Sequence, residues 1–118
     1  MRGVRGATTV EANDRGQIMA RVAEMLEALV AENHMEPDEL AAAIFSATPD
    51  LDAAFPAAAA RTLGWSEVPL FGAQELEAEG GVPLCIRVLL LWNTDKQPKE
   101  IKHIYLHGAS VLRPDFRK

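Results

Sequence analysis

Cys85-Ile-Arg-Val-Leu-Leu-Leu-Trp-Asn-Thr94 is the stretch from which the fold is read. It is β-branched or aliphatic at nearly every place, and it lies between a Gly80-Gly81-Val82-Pro83 approach and an Asn93-Thr94-Asp95 exit. A short apolar run with such borders predicts a buried strand, the central one of a sheet. Period two puts Cys85, Arg87, Leu89 and Leu91 on one face and Ile86, Val88, Leu90 and Trp92 on the other. Arg87 is the one charge in the run. A guanidinium keeps its proton inside a protein, so a buried one needs an anion: an Asp or Glu of the same chain, or a bound ligand. The strand alone leaves both open.

A chain of 118 residues fits one domain spanning 1–118. A domain of this size buries only about two thirds of its unfolded surface, so self-association is a natural supplement. The net charge of −5 and pI near 5.1 argue against nucleic acid and for a small-molecule or protein partner. Eight arginines stand against four lysines, and arginine is the better residue for bidentate carboxylate recognition. The single cysteine, Cys85, precludes a disulfide within the chain and suits a reducing cytoplasm. The start, MRGVRGATTV, lacks the apolar core of a signal peptide. The longest strongly apolar run, Val88 to Trp92, is too short to cross a bilayer, so no membrane partner is expected.

Upstream of the central strand, Arg2 to Val10 reads as a first strand, with Arg5 a second charge inside a strand. Asp14 followed by Gln17 has the pattern of a capping box. Ile18, Val22, Met25, Leu26, Leu29 and Val30 then recur at helical spacing up to Asn33 and His34. Glu36-Pro37-Asp38-Glu39 starts a further helical turn before a strand over Ala42 to Ala47, whose alanines also suit a longer helix. Thr48-Pro49-Asp50-Leu51 is a turn, and Phe55-Pro56 opens a helix, Ala57 to Leu63, that Gly64 ends. A strand over Glu67 to Phe71 precedes the Gly72-Ala73-Gln74-Glu75 segment. Downstream come a turn at Lys96-Gln97-Pro98, one helical turn through Glu100 to Lys102, a strand from His103 to Leu106 and a tail from Ala109. With no repeat or linker, the pattern predicts one α/β (α+β) domain, a mixed sheet flanked by helices.

Familiar catalytic signatures are absent from this pattern. The three histidines are isolated, the one cysteine has no metal-binding context, and GxSxG, phosphate-loop and GxGxxG motifs are missing, so neither metal nor cofactor is expected. His103 as a general base and Cys85 as a nucleophile are each weaker readings than an exposed histidine and a small buried hydrophobe. What remains suits a dianion: Arg5, Arg61, Arg87 and Arg113, with Tyr105 and one acid, Glu75.

The segments RGVRGATTVE (2–11), SATPDLDAAFP (46–56), the Gly80-Gly81 approach with CIRVLLLWNTD (85–95), and HIYL (103–106) followed by VLRPD (111–115) resemble the small monofunctional chorismate mutases of the AroH class, in order and over nearly the whole chain. The resemblance implies a homotrimer, a pseudo-α/β-barrel with active sites at subunit interfaces. It also implies cofactor-free rearrangement of chorismate to prephenate in aromatic amino acid biosynthesis. On it, Arg87 contacts the ether oxygen of the breaking bond, Arg5 binds a carboxylate and Glu75 accepts from the ring hydroxyl. Tyr105 lies near a carboxylate and Phe55 forms a wall. Phe71, Gly72, Ala73, Gln74 and Leu112 complete the substrate surface, while Arg61 and Arg113 enclose it from outside. Two positions depart from the family pattern: Gly72 stands where a cysteine is found, leaving only a backbone N–H there, and Ala58 stands where a lysine is found. Two other readings stay open: a non-catalytic trimeric module that binds a carboxylate metabolite through the same arginines, and a RidA-like imine deaminase, which grips a carboxylate with one arginine.

Overall fold

The computed structural model describes residues 1–112. The strand read as central runs over Cys85–Trp92 and is named β4; β1 (Arg2–Thr9) and β2 (Leu40–Ala47) flank it, both antiparallel. Two outer strands, β3 (Leu70–Gln74) beside β2 and β5 (Ile104–Tyr105) beside β1, run parallel to their neighbours. The sheet order is β3-β2-β4-β1-β5, which puts β4 in the middle as its composition demands.

The helices α1 (Arg15–Asn33) and α2 (Pro56–Thr62) share one core with a single face of this sheet. Ile18, Val22, Met25, Leu26 and Leu29 form the buried stripe of α1, and they join Val4, Ala43, Phe45, Ile86, Val88, Leu90 and Trp92. Each large aliphatic buried this way is worth about 1.5–3 kcal/mol as an upper figure. The approach of α1 is close: a Cβ on Gly6 would meet Leu29 Cδ1 at 2.8 Å. On the opposite face, carrying Arg5, Arg87, Leu89, Ile44 and Phe71, the described residues place neither α1 nor α2; only the 3-10 segment His107–Val111 packs there, over Ala7 and Cys85.

Helix α1 starts where expected, but its cap is half a capping box. Asp14 Oδ2 accepts from Gln17 N at 2.9 Å, whereas Gln17 Oε1 accepts from Glu11 N and not from the cap residue. At the other end His34 takes a left-handed φ of 53°, its N–H donating to Val30 O. Asn33, 1% exposed, donates through Nδ2 to Leu29 O and Lys102 O and accepts from Lys102 N at 2.8 Å. It thereby ties α1 to the segment leading into β5.

Other boundaries differ from those predicted. β2 begins at Leu40, with a bulge at Leu40/Ala42. β3 lies three residues beyond the predicted Glu67–Phe71, because Trp65 and Val68 turn inward to the core and Gly72 to Gln74 take the ladder positions beside Phe45 to Ala47. The predicted strand over His103 to Leu106 contracts to two residues, and the helical turns are short 3-10 segments at Pro37–Glu39 and Pro98–Glu100. The Thr48-Pro49-Asp50 turn pins the start of β4: Leu84 N donates to Asp50 Oδ2, and Cys85 N to Thr48 Oγ1, both at 3.0 Å.

Candidate active site

The pairing registers align Ala73, Ser46, Arg87, Ala7 and Tyr105 in one row across all five strands, on the face opposite α1 and α2. Arg87 sits in the middle of this row between two small side chains, Ala7 and Ser46, which leave its guanidinium room along the sheet. Glu75 follows β3, its N–H continuing the ladder to Ala47 O at 2.8 Å. Its Oε2 accepts from Ser46 Oγ at 2.9 Å and lies 2.9 Å from Arg87 Nε. The Nε–H bond does not run toward that oxygen, so the nitrogen is ion-paired yet buried without a hydrogen-bond acceptor among the described residues.

Arg87 was expected to be buried, but its side chain keeps 42% of its exposure, against 21% for Glu75. The reason is its place on that face: α1 and α2 lie on the opposite side of β4, and the 3-10 segment His107–Val111 packs over Cys85 and Ala7. An ion pair this accessible contributes about 0–1 kcal/mol, too little to be what holds the sheet. The internal ion pair therefore exists, and among the described residues it leaves the Arg87 Nε–H without an aligned acceptor.

Arg87 opens into a cleft of about 330 Å³ that Arg5, Glu75, Tyr105 and Leu112 also line. A second cleft, of about 730 Å³, takes Phe55, Arg61, Gly72, Ala73 and Gln74, and reaches Arg15 and Ser46. The anticipated site residues are thus divided between two clefts of one chain, with Ser46 touching both. Phe71 lines neither; it stands 64% exposed on the face opposite α1 and α2, in register with Ile44. Gly72 pairs with Phe45 and so belongs to the opposite parity from Ala73. Nothing lies within 4 Å of a Cβ built on it and its φ is not left-handed, so neither space nor backbone requires the glycine. Arg113 lies outside the described residues.

Cys85 is 1% exposed and packs with Ala7 and Ala109, against Val82, Tyr105 and Leu112. Burial pushes its thiol above the ordinary range, opposed in part by the Arg87 guanidinium. It is a neutral packing group. His103 accepts through Nδ1 from Arg5 N at 2.9 Å, which fixes the backbone beside the cleft. Among the described residues no three His, Cys, Asp or Glu side chains converge as a metal site would need, and no helix is long and apolar enough to cross a membrane.

The family model for chorismate mutase type I matches residues 1–116. The chain belongs to the type I chorismate mutases. It is 45% identical to the chorismate mutase AroH of Bacillus subtilis (strain 168) over 117 residues, which cover 98% of this chain and 92% of that protein. It is 46% identical to the chorismate mutase AroH of Thermus thermophilus, covering 98% and 96%. A solved chorismate mutase from Clostridium thermocellum superposes with a TM-score of 0.92 at 44% identity, over 94% of this chain and 99% of that one. As a chorismate mutase the chain is an isomerase. Ser46 and Arg15 are among the cleft residues that the sequence does not mark as site candidates. Ser46 had a usable signal, as the one hydroxyl in LAAAIFSA at the same parity as Ile44; Arg15, at the first turn of α1, had none.

Proposed function

We propose that the chain rearranges chorismate to prephenate by holding the reactive conformer of the dianion and placing the Arg87 guanidinium against the ether oxygen. In this pericyclic step the ether C–O bond breaks as a C–C bond forms, and no acid, base or nucleophile is required. Catalysis then consists of orientation and of compensating the negative charge that grows on the oxygen. The observation that carries the reading is Arg87 at the wall of a cleft, its Nε ion-paired with Glu75 but, among the described residues, given no aligned hydrogen-bond acceptor. Glu75, held by Ser46 and Arg87, takes the ring hydroxyl. Arg5 and Tyr105, on the same cleft, take a carboxylate. A step without proton transfer makes kcat nearly flat from about pH 6 to 9, where the arginines and a free glutamate stay charged. A bell-shaped profile would instead point to His103 or another acid–base group.

The site is completed between subunits of a homotrimer, a pseudo-α/β-barrel built from single domains of residues 1–118. Two facts support this reading. The face opposite α1 and α2 presents Phe71, 64% exposed, and Leu89, 36% exposed, in one row with Ile44, an apolar surface that a lone sheet would leave in water. The site residues of one chain also fall into two clefts, so that the Arg61 cleft of one subunit against the Arg87 cleft of the next would unite them. Sedimentation at micromolar concentration is expected to give three chains, and an active monomer would refute it. The enzyme works on a soluble metabolite of aromatic amino acid biosynthesis, and we place it in the cytoplasm.

A further inference from the structure

After β5 the chain turns through a 3-10 segment, His107–Val111, and arrives at Leu112 on the wall of the Arg87 cleft. The turn lies across the end of β1. Leu106 N donates to Ala7 O and Gly108 N to Thr9 Oγ1, both at 2.9 Å. Ala109 is fully buried against Ala7 and Cys85, and Leu112 N donates to Ala109 O at 3.0 Å. The approach is tight, since a Cβ on Gly108 would meet Thr9 Oγ1 at 2.9 Å.

His107 opens this turn with a φ of +52°, a conformation that side-chain-bearing residues seldom adopt and that persists only where surrounding contacts hold it. Glycine would take it without strain. The imidazole instead reaches back across the molecule, where Nε2–H donates to Glu24 Oε1 of α1 at 2.9 Å. Glu24 is on the helix whose buried stripe packs the far side of the sheet, and it touches neither cleft.

We propose that His107 and Glu24 are positioning residues, which fix the turn so that Leu112 meets the substrate site in one place. The inference rests on the reading of the Arg87 cleft as that site. Its mechanism is preorganisation: a segment already docked spends less ordering free energy when substrate binds. The effect belongs in KM, because an apolar contact from Leu112 serves ground and transition states alike.

The test is steady-state kinetics with a thermal melt on the full-length assembly. His107→Gly removes the imidazole while relieving the backbone, so its melting temperature should hold or rise while KM increases. The increase should be about two- to fivefold, the range open to a half-exposed pair, with kcat nearly unchanged. Glu24→Ala should do the same, Glu24→Gln should stay near wild type because its amide oxygen still accepts, and the double variant should be no worse than either single one. A His107→Gly enzyme of wild-type KM, or a KM unmoved in both His107→Gly and Glu24→Ala, overturns the proposal. Arg87→Ala measured alongside separates the causes. If it is inactive while KM in the anchor variants is unmoved, the anchor alone fails; if it keeps wild-type kcat, the site reading fails and the anchor with it.

Discussion

Arg61 and Arg87 lie in different clefts of the same chain, and this makes the composite site testable by mixing. Arg61→Ala and Arg87→Ala chains, each purified with low activity, are unfolded together in equal amounts and refolded. In a cyclic trimer with heterologous interfaces, each site takes Arg87 from one subunit and Arg61 from its neighbour. A site is whole when the first subunit is the Arg61→Ala chain and the second the Arg87→Ala chain. With random assembly that happens with probability one half times one half, so about one quarter of the sites should recover wild-type kcat. If both arginines instead came from one chain, no mixture would hold an intact site. The assay is the fall of chorismate's ultraviolet absorbance, with singly refolded variants as controls for incomplete folding. Mixed activity no greater than the sum of the two controls refutes the composite site.

Three further outcomes follow from the packing. Gly6→Ala inserts a methyl where Leu29 Cδ1 is 2.8 Å away, so it should cost about 1–3 kcal/mol and lower the melting temperature at fixed protein concentration; an unchanged melt would show that α1 can shift freely. Asn33→Ala strands the backbone groups of Lys102 that Asn33 now satisfies, at about 1–3 kcal/mol, and a loss below about 0.5 kcal/mol would mean water takes over. Burial raises the Cys85 thiol above its usual 9.0, so the stability linked to its neutral form is complete below the unfolded value and lost as pH rises through the folded one. Iodoacetamide at pH 8.5 should therefore alkylate the folded protein far more slowly than the unfolded chain, and equal rates would place the thiol in solvent.

Local signals that point one way made much of this fold legible. The apolar run of β4, the period of α1 and the Pro56 start and Gly64 stop of α2 each combine pattern with punctuation, and all three appear where they were read. Errors arose where tertiary pairing outweighs local pattern. β3 is placed by its ladder with β2 and by the inward turn of Trp65 and Val68, neither of which is visible in its own five residues. The partial exposure of Arg87 was hidden for a related reason: composition cannot say that α1 and α2 both pack on the other face of the central strand. Most site residues were recognisable only through family resemblance, since Arg5, Glu75 and Tyr105 are far apart in sequence and meet through sheet register alone. The division into two clefts was not readable at all, because it depends on where α2 and the loop before it come to lie beside β2 and β3.

The central claim is that the Arg87 guanidinium compensates charge on the ether oxygen, and kcat of Arg87→Ala tests it most directly. Removing a donor made for the transition state should cost about 3 to 4 kcal/mol, roughly a hundred- to thousandfold in kcat, with KM changed much less. Arg87→Lys should recover only part, because an ammonium on a shorter reach cannot copy the planar fork. An Arg87→Ala enzyme that sediments like wild type and keeps near-normal kcat would make Arg87 no more than the ion-pair partner of Glu75.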